Sequence, residues 1–291
     1  MRFHTLMRAL LFELLVPVVL GQNIRAIYLF KDVMKSDTKS LQTSGFNSVI
    51  MFGVGILDDG GIMYYSNTPG SSDVLVATNG SYVGGDALAA KVRSFKSGSG
   101  TGINRVEISM NSQHVADLMR SPGPGSNTPL FRNFAALKEA WDLDAVNNDD
   151  ESIYDVSSTV AFGKMLGEAG YKYTTAPYTN QNFWVQVTNQ INSGRSEPLL
   201  DRVYLQCYDG GAGNDPASWQ TTLGMKVVPL IWVTNDSKPS QGTTADQART
   251  RFSGWTSGTT LAGGGYWNDY DIEKMNLSYP EYGDVLTSIF P

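Results

Sequence analysis

Short apolar runs recur along the chain, and most are too brief and too rich in Val, Ile, Tyr and Phe to read as helices. Eight predict strands: 25–30, 48–55, 105–110, 143–149, 172–176, 202–208, 226–233 and 263–267. Their nearly continuous apolar character suits parallel strands covered on both faces. Helical spacing fills the intervals. It runs over 87–95 after the second strand and over 131–141 after the third, where Phe131, Phe134, Leu137 and Trp141 share a face. It returns at 160–169, 183–191, 216–223, 245–255 and 282–290, after the fourth to eighth strands. The first crossover, at 38–45, is short and poorly periodic. Strand–helix alternation repeated eight times predicts an α/β fold, a single (β/α)8 TIM barrel, with an open doubly wound sheet as the alternative. After the second strand, Asp58-Asp59-Gly60-Gly61 followed by Ile62-Met63-Tyr64-Tyr65 predicts a hairpin over the barrel mouth.

The pattern breaks where the fourth strand ends. Leu143, Ala145 and Val146 run into Asn147-Asn148-Asp149-Asp150-Glu151. On an extended strand Asn147, Asp149 and Glu151 share one face. An amide and two acids together at a barrel strand's C-terminal end, where reactive groups sit, are costly unless used. Paired carboxylates are what glycoside hydrolysis needs. Three other strand ends are polar or aromatic beyond what packing would choose. The third ends in Glu107, Ser109 and Asn111, the sixth in Gln206, Tyr208 and Asp209, and the eighth in Trp267, Asn268 and Asp269. The plain alternatives are a solvated loop, a cap for the next helix (a task Asp155 or Ser157 could already perform), an oxygen-rich metal site, and core packing for Tyr208 and Trp267. The EF-hand order with its central Gly is absent.

Composition narrows the classes. The 291 residues are 41% hydrophobic and 17% charged, enough for one large core. Net charge is −6 with no basic run, so nucleic acid is excluded as a partner and neutral polysaccharide fits better. Arg2 and Arg8, the apolar stretch 9–20 and Gly21 predict a secretory signal over 1–21, leaving no membrane partner after its removal. Sequons at Asn79, Asn235 and Asn276 agree with export. Cys207 is the only cysteine, which excludes an internal disulfide and reads as a buried strand residue. With only His4 and His114, neither a Cys–His pair nor a Ser–His–Asp triad finds a base.

On these residues the chain resembles glycoside hydrolase family 18, whose signature Asp-Gly-x-Asp-x-Asp-x-Glu is read here as Asp144-Ala145-Val146-Asn147-Asn148-Asp149-Asp150-Glu151. The Asp-Asp-Glu ending is similar to the secreted endo-β-N-acetylglucosaminidases of that family. Gln206-x-Tyr208-Asp209 resembles its Met/Gln-x-Tyr-Asp/Asn element, and Trp267 falls where the family keeps a tryptophan floor. Departures are Asn147 for Asp, Ala145 for Gly, and Ser109-Met110-Asn111-Ser112 for Ser-x-Gly-Gly.

The resemblance implies hydrolysis of β-1,4-linked N-acetylglucosamine, in chitin oligomers or the chitobiose core of N-glycans, by substrate-assisted retention. Glu151 would be general acid, Asp149 would orient the 2-acetamido group and stabilise its oxazolinium, and Tyr208 would position the acetamido oxygen. Asn147, Gln206, Asp209, Trp267 and Trp232 would bind substrate, with Asn147 able to hydrogen-bond Asp149. Asp149 would hold Glu151 protonated. No cofactor or metal is expected, and the protein should act as a monomer. The interval 234–261 has room for one helix and loops only, so the α+β insertion of processive chitinases is absent and an open, endo-acting cleft follows. Two rivals remain: a carbohydrate-binding lectin that has lost turnover, and a hydrolase of another sugar, such as a galactosamine polymer, that uses both carboxylates directly.

Overall fold

The computed structural model describes residues 23–291; the expected signal, 1–21, lies outside them. Eleven strands and ten α-helices follow one another. They are β1 (Ile24–Leu29), α1 (Thr38–Thr43), β2 (Ser48–Ile56), β3 (Ile62–Tyr64), β4 (Val74–Thr78), β5 (Ser81–Tyr82), α2 (Asp86–Ser97), β6 (Arg105–Met110), α3 (Val115–Arg120), α4 (Pro129–Trp141) and β7 (Ala145–Asn148). Then come α5 (Val156–Glu168), β8 (Lys172–Thr175), α6 (Gln181–Asn192), β9 (Leu200–Gln206), α7 (Pro216–Leu223), β10 (Val228–Trp232), α8 (Ala245–Gly258), β11 (Gly263–Trp267), α9 (Asp269–Lys274) and α10 (Tyr279–Ile289).

Eight strands pair in parallel in the order β1-β2-β6-β7-β8-β9-β10-β11, and β11 pairs back to β1 through Ile24↔Gly263 to Ile27↔Tyr266. The ring is closed, which rules out the open sheet. All eight expected strands form within a few residues of their expected bounds. Period-two alternation sorts their side chains into two cores. Ala26, Tyr28, Ile50, Tyr204, Val228 and Leu230 fill the barrel. Ile27, Val49, Val106, Ile108, Val146, Tyr173, Val203 and Leu205 pack outward against the helices. Glycines in β11 make room on both faces. A Cβ on Gly264 would come within 2.8 Å of Phe252, and one on Gly265 within 2.8 Å of Leu230.

Between β10 and β11 the chain forms only a 3-10 turn (Pro239–Gln241) and α8, so no α+β domain is inserted. The addition lies after β2 instead. The expected hairpin forms, with β3 antiparallel to β2, and continues into β4 and β5. This small sheet is held on α4 by Asn133, whose Nδ2 donates to Gly60 O and whose Oδ1 accepts from Gly80 N, each at 2.7 Å.

Two sequon asparagines, Asn79 and Asn276, are exposed. Asn235 is buried, its Nδ2 donating to Val233 O and its Oδ1 accepting from Lys238 N, so in the folded chain this third sequon offers no free amide. Cys207 is buried as expected, and burial pushes its thiol up to about 12. No helix among the described residues is long and apolar enough to cross a membrane.

Candidate active site

At the C-terminal end of β7 the ladder continues one residue past the strand, with Asp149 N donating to Met110 O at 2.9 Å. Asp150 then folds the chain back. Its Oδ1 accepts from Ser152 N and Ile153 N at 3.0 and 2.8 Å, and its Oδ2 from Tyr154 N at 2.8 Å. Asp150 is thus spent on the turn itself, and Asp155 caps α5 through Ser158 N. The turn leaves Asp149 and Glu151 facing one cavity of about 380 Å3, together with Phe52, Gln206, Tyr208, Asp209, Trp232 and Trp267.

Gln206 ties the two acids to the sheet. Its Nε2 lies 3.0 Å from Asp149 Oδ1 and 3.5 Å from Glu151 Oε1, and also donates to Ala176 O at 2.9 Å. Asp149 is half-buried while Glu151 is exposed at the cavity wall. Burial, reinforced by the neighbouring Glu151 and Asp150 charges, pushes the Asp149 carboxyl up to about 8. Asp149 thus carries a proton at neutral pH. Burial also raises Tyr208 well above the usual phenol range, so its hydroxyl stays neutral and able to donate.

Aromatic rings form the floor and one wall. Trp267 meets Phe52, Phe30 and Tyr28 at centroid distances of 4.8, 5.5 and 5.6 Å. Tyr208 stands edge-on to Trp232 at 5.8 Å, and Trp232 Nε1 donates to Asp271 Oδ2 at 2.8 Å, which fixes the indole. Asp209 is exposed at the rim and ion-paired to Lys238, while its backbone N–H donates to Gln241 Oε1 at 3.1 Å.

Asn147 corrects the expectation of substrate contact. It is fully buried beneath the cavity, where Oδ1 accepts from Tyr28 and Ser109 hydroxyls at 3.0 and 2.9 Å and Nδ2 donates to Thr174 Oγ1 at 3.0 Å. Both lone pairs of its oxygen and one N–H are used there, and no hydrogen bond joins it to Asp149. Asp144 lies at the other end of the strand, bound to Val106 N and Lys96.

Several lining residues were not singled out from sequence. Phe52 and Tyr178 complete the aromatic wall. A wider cavity of about 760 Å3 adjoins the first through Phe52, Asp149 and Glu151, and is lined by Tyr65, Asn67, Asn111, Gln113, His114 and Ile153. Phe52 shares the inward face of β2 with Ile50, a signal in the alternation that apolar letters alone obscure.

No family model matches the sequence, and no curated protein does. Solved structures do match. The fold is shared with family-18 chitinases. The catalytic domain of a family GH18 chitinase from the fern Peteris ryukyuensis is 14% identical, with a TM-score of 0.61 over 91% of this chain and 98% of that one. The Group IV chitinase of Ostrinia furnacalis gives 9%, 0.62, 92% and 100%. A class V chitinase from Nicotiana tobaccum, solved in complex with NAG4, gives 11%, 0.60, 92% and 100%. Identities this low speak for the barrel architecture, and the chemistry rests on this chain's own residues.

Proposed function

We propose that the protein is a secreted family-18 glycosidase that cleaves within β-1,4-linked N-acetylglucosamine oligosaccharides by a substrate-assisted route. The observation that carries this reading is the convergence of two amide-bridged carboxyls, a neutral phenol and an indole on one cavity. The indole and Phe52 offer an apolar platform for a sugar face, and Tyr208 offers a donor for an acetamido oxygen. The Ostrinia and tobacco chitinases, solved with allosamidin and with NAG4, support the substrate class.

The geometry suits a single shared proton. Asp149 holds it in the resting site, beside Glu151 and within reach of the same Gln206 amide. With substrate bound, the proton passes to Glu151 and Asp149 becomes anionic. The acetamido carbonyl oxygen then forms a bond to the anomeric carbon while the bond to the leaving sugar breaks. Glu151 protonates the departing oxygen, and the Asp149 carboxylate faces the oxazolinium charge. Water then bonds to the anomeric carbon from the face the leaving sugar vacated, the bond from that carbon to the acetamido oxygen breaks, and the water's proton goes to Glu151, so configuration is retained. Asp209 takes a sugar hydroxyl by exchanging its exposed Lys238 partner, a pair worth little at the surface. The adjoining wider cavity leaves the cleft open beyond the acids, which favours endo-cleavage.

The test is hydrolysis of chitotetraose and of a chitobiose-core glycopeptide by the wild type and Glu151→Gln. The expected result is turnover by the wild type and a loss of at least about 10³-fold in the variant, the scale of removing an essential proton donor. Equal, zero turnover with sugar binding retained would instead establish the lectin reading, which the uncharged Asn147 favours. An oxazoline-type inhibitor that fails to bind an active enzyme would point to direct two-carboxylate chemistry on another sugar.

A further inference from the structure

Below the cleft, the barrel interior holds one buried anion. Glu107 of β6 is fully buried, and its Oε1 accepts from Arg105 Nε at 2.7 Å and from Tyr204 hydroxyl at 2.8 Å, with Arg202 Nη1 3.7 Å away. Its Oε2 accepts from Thr174 hydroxyl at 2.6 Å. The guanidinium charges and these hydroxyls hold the carboxyl below its usual range despite burial. An ionised carboxylate can only accept, so each hydrogen beside it is directed toward it.

That constraint propagates upward. Thr174 has one hydroxyl hydrogen and gives it to Glu107, so at 3.0 Å from Asn147 its oxygen can only accept. The Asn147 group facing it is therefore the NH2, which resolves the amide orientation by chemistry. The Asn147 oxygen must then face Tyr28 and Ser109, and both hydroxyls donate to it. Tyr28 has a single hydroxyl hydrogen, spent downward. Its oxygen leaves lone pairs for the groups above, and its ring touches the Trp267 indole at 5.6 Å.

We propose that Glu107, out of reach of any ligand, is a positioning residue: through Thr174 it fixes the Asn147 amide and turns the Tyr28 hydroxyl hydrogen away from the carboxylate pair. Tyr28 then presents its oxygen, and not its hydrogen, on the side of Asp149. The groups facing Asp149 are Glu151 and Asp150 on its own segment, Gln206 and Tyr208 from the β9 side, and Tyr28 from β1. Those facing Glu107 are Arg105, Thr174, Arg202 and Tyr204, with Asp201 behind Arg105. Among them, Thr174 is the link that leads to the cleft.

The kinetic consequence rests on the glycosidase reading, and the orientation itself does not. Thr174→Val removes the link and leaves Glu107 with both arginines; Thr174→Ser keeps a hydroxyl. In Thr174→Val the Asn147 amide can flip and Tyr28 can turn its hydrogen toward Asp149. Two measurements follow: the 15N side-chain amide signals of Asn147, and kcat and KM against pH on chitotetraose, with melting temperature as the folding control. Thr174→Val should shift the Asn147 signals, lower kcat roughly 10- to 100-fold with KM nearly unchanged, and move the alkaline limb of kcat about one unit toward acid. Thr174→Ser should restore all three. A folded Thr174→Val protein with wild-type signals, or an active one with the wild-type pH profile, would overturn the proposal. If the wild type shows no turnover, the hydrolase reading falls and the Asn147 signals alone decide the relay. Glu107→Gln should reproduce the Thr174→Val profile, and if it fails to fold the Thr174 pair still decides.

Discussion

Tyr208 and Glu151 differ in their surroundings: the phenol is almost fully enclosed, while the carboxyl stands open at the wall. An enclosed neutral hydroxyl is a preorganised donor, effective where charge develops because few waters compete with it. Tyr208→Phe keeps the ring against Trp232 and removes only that donor. The expected outcome in steady-state kinetics is a fall in kcat of about 10²–10³-fold with KM little changed. A proportional rise in KM with constant kcat would instead assign Tyr208 to ground-state binding. At this scale the carboxylates were legible, because acids at a strand end violate the apolar pattern and have few structural uses. Asn147 was placed on the right face but at the wrong depth, since alternation fixes direction and says nothing of how far the cavity reaches. Phe52 and Tyr178 were not legible at all: an aromatic that lines a cleft is written with the same letter as one that fills a core.

Barrel strands announce themselves because both faces are covered, so even a short strand such as Val228–Trp232 reads as a nearly continuous apolar run. The added sheet after β2 lacks that signature. Val74–Thr78 and Ser81–Tyr82 are short, one side of them is open, and the turn between them is only Asn79-Gly80. Six-residue helices such as Val115–Arg120 span too few turns to show a period. What holds the added sheet is again specific. Asn133 on α4 satisfies a carbonyl of one loop and an amide of the next, and its side chain is nearly inaccessible. Asn133→Ala would leave both backbone groups unpaired, a cost of about 1–3 kcal/mol that a urea titration would read as a lower midpoint with unchanged slope. Tyr65 and Asn67, which follow β3 and line the wider cavity, should be displaced with the sheet, so binding of longer oligosaccharides should weaken more than binding of short ones.

Across the whole molecule, buried acids set how stability depends on pH. Burial raises Asp149 from 3.8 to about 8 and Asp269 from 3.8 to about 7, the second despite two backbone N–H groups donated by Phe30 and Lys31. In the unfolded chain both ionise near pH 4. Between pH 4 and 8 the native state therefore binds more protons than the unfolded one, and stability falls as pH rises through that window. Glu107 acts in the opposite sense. Its folded pKa is depressed by Arg105 and Arg202, so its contribution is present above its unfolded value and lost as the medium becomes more acid. The two trends together place maximum stability near pH 4–5, with a decline toward pH 8. For a chain of this size each kcal/mol lost lowers the melting temperature by roughly 2–4 °C. Thermal melts from pH 3 to 9 should thus show a mildly acidic optimum. Asp149→Asn and Asp269→Asn should each flatten the neutral limb without moving the acidic one, because each removes a carboxyl that the interior keeps protonated while the unfolded chain ionises it. A melting temperature that rises steadily from pH 5 to 8 in the wild type would contradict the burial of both groups as acids. If Asp149→Asn is also the more stable protein at pH 8 and has lost turnover, then the cleft keeps an acid that folding disfavours, which is what a site shaped by proton transfer requires.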